Sequence, residues 1–183
     1  MASDIWTGGP NKQRRNEMQM NENYNPQFMK RALELSRAAY SSGKGLPIGC
    51  VIVKDGEIVG EGHNEIFHRT NPTAHAEMIA IEAACSKAGD LRLSGCDLYT
   101  TLEPCPMCAA AVYWAKIRSV FFATSGKAGA NYGFNDDFIR RDLAKLPRER
   151  IIPHFSCDAP EAINILEEWS KAGFAASQPF EQS

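Results

Sequence analysis

The chain has 183 residues, 44% of them hydrophobic, which suits one globular domain with a core of ordinary size and requires no second domain. A formal charge of -2 gives no general attraction to nucleic acid, and the local basic stretch Arg140, Arg141, Lys145, Arg148 and Arg150 reads as a solvated helix face. No apolar run approaches the ~20 residues of a membrane helix and the polar N-terminus has no signal-peptide core. With Cys50, Cys85, Cys96 and Cys157 widely scattered, a cytoplasmic protein with reduced thiols is expected.

Residues 1–25 are rich in Asn, Gln, Gly and charge, with scarcely any apolar periodicity, so they are expected to be mobile. From Pro26 the apolar positions Phe28, Leu33, Leu35, Ala38 and Ala39 recur at helical spacing until Ser41-Ser42-Gly43 ends the run. The β-rich runs Pro47 to Val53 and Ile58 to His63 flank Asp55-Gly56, a strong hairpin signal. Thr73 is a suitable N-cap for a helix to about Lys87, with Met78, Ile79, Ile81 and Ala84 facing inward. A strand over Cys96 to Leu102 leads into a helix from Cys105 to about Ala115, and Ser119 to Ala123 forms another strand. A loop through Gly126, Gly129 and Gly133 precedes the segment Phe134 to Leu146, then a last strand over Ile151 to Phe155 and a last helix over Pro160 to Lys171. This alternation predicts an α/β sandwich with helices on both faces of a mixed sheet, formed by residues 26–172 and followed by a tail over 173–183.

Two short motifs carry the chemistry: His75-Ala76-Glu77 and Pro104-Cys105-Pro106-Met107-Cys108. Structural zinc normally takes four protein ligands, whereas one His and two Cys leave a position open for water. Cys105 and Cys108 share a helix face, and the helix start favours their thiolates. His75 and Glu77 would lie ~200° apart on an ideal helix, so both can face one metal only if His75 occupies an irregular first turn. Two thiolates cancel the charge of the metal, so water there needs help in losing a proton, and Glu77 is the candidate general acid and base.

These motifs resemble the zinc-dependent cytidine/deoxycytidylate deaminase superfamily, over roughly Pro26 to Ile152. Within it the chain looks most like guanine deaminases, through Asn71-Pro72-Thr73-Ala74-His75-Ala76-Glu77, Tyr113-Trp114-Ala115 and Gly133-Phe134-Asn135-Asp136-Asp137-Phe138. Pro47-Ile48-Gly49 is instead closer to the form found in cytosine and tRNA adenosine deaminases. The resemblance implies a three-layer α/β/α sandwich with a mixed five-stranded sheet, and one zinc per chain on His75, Cys105 and Cys108. It further implies Glu77 as the proton carrier and Asn64, Trp114 and Asp136 as substrate contacts. The expected reaction is guanine plus water to xanthine plus ammonia; cytosine and the wobble adenosine of tRNA are the alternative substrates, and a noncatalytic zinc protein the alternative of another kind. A homodimer is also implied, with a C-terminal segment that can cross to the neighbouring subunit. That segment ends in a Tyr in the family, whereas this chain continues through Phe174 and Phe180 without one.

Overall fold

The computed structural model describes residues 24–172. The tail over 173–183, and all but the end of the N-terminal segment expected to be mobile, lie outside the described residues. Its last residue, Asn25, caps the first helix, α1 (Pro26–Ser41), by accepting a hydrogen bond from the Gln27 amide, while Pro26 occupies a position where no amide is needed. The buried stripe of α1 is Met29, Ala32, Leu35 and Ala39, so the expected face is corrected: Leu33 is half exposed and Ala38 is also outward. Strands β1 (Gly49–Lys54) and β2 (Glu57–His63) form the expected antiparallel hairpin. Asp55 and Gly56 both have positive φ, as a two-residue hairpin turn of this hand requires.

Helix α2 (Ala76–Ala88) begins later than expected, because His75 and not Thr73 is the N-cap; the Thr73 amide and hydroxyl are both taken by the Asn71 side chain. Its buried face is also corrected. Ala76, Ala80 and Ala84 are buried, whereas Met78, Ile79 and Ile81 are only partly covered. The reason is the surface beneath them, which is glycine. A β-carbon at Gly60 or Gly62 of β2 would overlap the Ala80 or Ala76 carbonyl, so the helix backbone rests directly on the strand.

Strand β3 (Asp97–Leu102) pairs antiparallel with β1, and after helix α3 (Pro106–Trp114) the chain returns as β4 (Ser119–Thr124), parallel to β3. The sheet order is β2-β1-β3-β4. On one face α1 packs Met29, Ala32 and Leu35 against Val51, Val53, Tyr99 and Phe121; on the other α2 meets Cys50, Ile52 and Leu98, with Val112 of α3 at the margin. The layered mixed α/β fold is therefore as expected.

Among the described residues the sheet has four strands rather than five. Beyond β4 come α4 (Gly126–Gly129), a short 3-10 turn over Ala130–Tyr132, α5 (Asp137–Leu143), a second 3-10 turn over Pro147–Glu149 and α6 (Glu161–Lys171). The expected strand at Ile151 to Phe155 is absent for a local reason. The Ile151 amide donates to the Asp142 carboxylate, the His154 amide donates to the Pro147 carbonyl, and Pro153 has no amide. Two of its donors are thus spent on nearby acceptors earlier in the chain instead of on a ladder. Among the described residues, no helix is long and apolar enough to cross a membrane.

The glycine bed gives a direct test. Gly62→Ala should lower stability by about 1–3 kcal/mol, because the added methyl meets backbone rather than a side chain that can swing away. The urea midpoint would fall with the slope unchanged; an unaltered midpoint would show that α2 does not rest on this strand as described.

Candidate active site and metal centre

Two helix starts meet above the ends of the central strands. His75 is the N-cap of α2 and Cys105 the N-cap of α3, both with extended backbone, and Cys108 lies in the first turn of α3. Because His75 is not helical, its ring can approach the metal side while Glu77, already on the helix, points to the same place. This is the irregular turn that the motif required. Three ligand atoms come together: His75 Nδ1 lies 3.6 Å from Cys105 Sγ and 3.5 Å from Cys108 Sγ, and the two sulfurs are 3.6 Å apart. Tetrahedral zinc, with bonds of about 2.3 Å to sulfur and about 2.0 Å to nitrogen, would place two sulfurs about 3.8 Å apart and sulfur and nitrogen about 3.5 Å apart. The triangle fits a single zinc, and one His with two Cys leaves its fourth position open.

Electrostatics point the same way. Accepting a hydrogen bond from the Cys108 thiol holds the Cys105 thiol down to about 4, and the same contact together with burial pushes Cys108 far up. Two adjacent thiolates are thus unfavourable here without a cation, and a divalent metal removes the conflict. The hydrogen bond with Cys105 also raises His75. Glu77 is 3% exposed, and burial raises its carboxyl above the ordinary carboxylate range. Its two oxygens face different neighbours: Oε2 lies 3.6 Å from Cys108 Sγ, while Oε1 accepts from the Thr100 hydroxyl at 3.2 Å.

A cleft of about 200 Å³ opens beside these groups, with Leu46, Ile48, Leu102 and Phe134 as apolar wall and His75, Glu77, Cys105, Glu103, Asn135 and Asp136 as polar lining. Asp136 stands at the N-cap position of α5, yet its side chain makes no cap hydrogen bond. Its charged neighbour is Arg140, at 3.5 Å, whose guanidinium also donates to the Pro104 carbonyl at 2.7 Å, one residue before the ligand Cys105. Glu103 accepts from the Gly126 amide and so ties the metal loop to α4. Asn64 is fully buried; its Oδ1 accepts from the amide of Leu46, itself on the cleft wall, and its Nδ2 has no partner. Trp114 is the last residue of α3, 59% exposed, and does not line the cleft. Sequence reasoning missed Thr100 and Glu103. Thr100 lies between Leu98 and Leu102 on the face of β3 toward α2, so a polar residue on that apolar side was the available signal.

The family profile of the cytidine and deoxycytidylate deaminase zinc-binding region matches residues 22–124, over half of the chain. The chain belongs to this deaminase family. It is 43% identical to guanine deaminase of Bacillus subtilis strain 168 over 142 residues, covering 78% of this chain and 91% of that protein. It is also 42% identical to a tRNA-specific adenosine deaminase of Streptococcus pyogenes over 146 residues, covering 80% and 89%. In three dimensions the X-ray structure of guanine deaminase from Bacillus subtilis superposes with a TM-score of 0.78 at 41% identity, covering 81% of this chain and 94% of that one.

The deaminase should carry one zinc per chain, and Cys105→Ala should bring this close to zero while lowering the thermal midpoint, since metal binding favours the folded state. Metal analysis alongside thermal unfolding would check it. Full zinc occupancy in the variant would contradict the ligand set.

Proposed function

We propose that this deaminase hydrolyses the free purine base guanine to xanthine and ammonia. The observation that carries the reading is Asp136, a carboxylate on the cleft with no cap bond and a single long contact, to Arg140 at 3.5 Å through Oδ2, and hence with acceptor capacity to spare. Guanine presents a ring N–H and an exocyclic amine side by side, and a carboxylate can accept from both; adenine and cytosine present that edge differently. Asn64 supplies the complement, an unpartnered buried amide that can donate to a ring or carbonyl acceptor. A zinc bound by His75, Cys105 and Cys108 would acidify water and supply hydroxide near neutral pH. Glu77 takes one proton from water and passes it to a ring nitrogen as the amine-bearing carbon is attacked, then takes the proton of the newly added hydroxyl and delivers it to the departing amine as the carbonyl forms. A carboxyl raised by burial is suited to both directions of that transfer.

The similarity to tRNA adenosine deaminases keeps RNA as the second reading, but the charge pattern weighs against it. Of the basic stretch, Arg140, Arg141 and Lys145 are paired with Asp136, Asp137 and Asp142, which leaves little net positive field for phosphates. All six cysteines are unpaired, which supports a reducing compartment such as the cytoplasm.

A homodimer belongs to the same proposal. Helix α6 exposes Ile163, Ile165 and Leu166, and none of its residues is buried among the described residues. An 11-residue helix is marginal in water without packing, so this face calls for cover. The groove between α3 and β4, lined by Ala109, Val112, Tyr113 and Phe122, offers apolar surface for a second copy, and an exchanged C-terminal segment is one way to cover both.

Ammonia release measured on guanine, guanosine, adenine, cytosine and tRNA should show guanine turnover, and Asp136→Asn should cut guanine kcat/KM by at least about 10²-fold, through a lost charge-assisted hydrogen bond and a misoriented base. Zinc content should not change. Absence of guanine turnover in zinc-loaded protein that deaminates another base would reject the substrate. Sedimentation should give a dimer at micromolar concentration, and a monomer there would reject the assembly.

A further inference from the structure

Among the described residues, Thr100 is the one side chain of the sheet that hydrogen-bonds to Glu77. It is fully buried on β3, opposite Cys50 of β1, and both residues lie beneath the N-terminal turn of α2. The hydroxyl donates to Oε1 of Glu77 at 3.2 Å. The other side-chain contact of that carboxylate is the Cys108 sulfur at 3.6 Å, which holds no proton to donate when it ligates a metal. What then fixes the orientation of Glu77 from the protein side is Thr100 together with the backbone amide of Glu77.

We propose that Thr100 is a positioning residue for the deamination, holding Glu77 by Oε1 so that Oε2 stays turned toward the metal ligands and the substrate. The inference rests on the reading of Glu77 as proton carrier. A carboxylate that shuttles protons between water, ring nitrogen and amine must reach each without swinging back to the sheet. A buried carboxylate whose inner oxygen is occupied has one free oxygen, and it faces the cleft. The hydroxyl also solves a burial problem, because the charged form of Glu77 has no cation of its own on that side and a donated hydrogen bond offsets part of its desolvation. Cys50 is no substitute, since burial and the nearby Glu77 carboxylate both hold its thiol neutral and it directs its weak donor to the Val51 carbonyl. A valine at position 100 keeps the shape and the apolar packing between Leu98 and Leu102 but lacks the donor; a serine keeps the donor and loses a methyl.

The experiment compares Thr100→Val, Thr100→Ser, Thr100→Ala and Glu77→Gln in the zinc-loaded full chain, scored by ammonia release from whichever base the wild type deaminates. Thr100→Val and Thr100→Ala should lower kcat about tenfold or more with KM within about twofold of wild type, because the loss falls on the proton-transfer step rather than on base binding. Thr100→Ser should retain at least about half the wild-type kcat, since it keeps the hydroxyl. Turnover is expressed per bound zinc, and thermal midpoints are recorded. If Thr100→Val keeps wild-type kcat, or if Thr100→Ser falls as far as Thr100→Val, the hydroxyl has no positioning role and the inference is overturned. Glu77→Gln separates the two failures: turnover in that variant defeats the proton-carrier reading itself, whereas an inactive Glu77→Gln beside a fully active Thr100→Val defeats the Thr100 assignment alone. Should Thr100→Val not fold, Thr100→Ala against Thr100→Ser carries the same comparison.

Discussion

The close approach of α2 to β2 is the constraint on which the rest of the site depends. Glycines at 60 and 62 let the backbone of the helix lie on the strand, and alanines at 76, 80 and 84 complete a contact with almost no side-chain thickness. That seats the start of α2 low enough for its N-cap, His75, to meet the N-cap of α3, Cys105. A larger residue in either row would raise the helix start away from the sulfurs. Packing and chemistry are here one requirement, because the dimension that closes the core also sets the edges of the ligand triangle. It sets the depth of Glu77 as well, since that side chain leaves the same turn and is buried by the same contact.

Much of this was readable from residue types, and what escaped did so for physical reasons. The hairpin could be read because Asp55-Gly56 has one comfortable geometry, and the metal ligands because His75, Cys105 and Cys108 form a combination with little use in an ordinary core. The inner face of α2 could not, since hydrophobicity favours Met78, Ile79 and Ile81 as the buried side, and only knowledge of the glycine partner moves burial to the alanines. The same lack of partner information misled the reading of Leu33. The expected fifth strand was a sound inference from β-branched and aromatic residues, but the competing acceptors, the Asp142 side chain and the Pro147 carbonyl, depend on how the chain turns after α5. Thr100 was overlooked for the opposite reason: threonine is ordinary in a strand, so its place on an apolar face was a weak signal, and its hydroxyl gains significance only once Glu77 is known to sit above it.

The charges near the cleft are arranged to limit stray fields. Acidic residues at 136, 137 and 142 each face a cation on the same short stretch of chain, so a segment that looks basic in one dimension is close to neutral in three. Such exposed pairs contribute little stability. Their effect is on what approaches the cleft, favouring a neutral base over a polyanion.

One of those cations has a further consequence. The Arg140 guanidinium spans the Pro104 carbonyl, beside a metal ligand, and the Asp136 carboxylate, on the opposite wall of the cleft. One guanidinium nitrogen, Nη2, thus bridges the metal loop and the cleft lining at Asp136. The link runs outside the sheet, from α5 to the loop that carries Cys105.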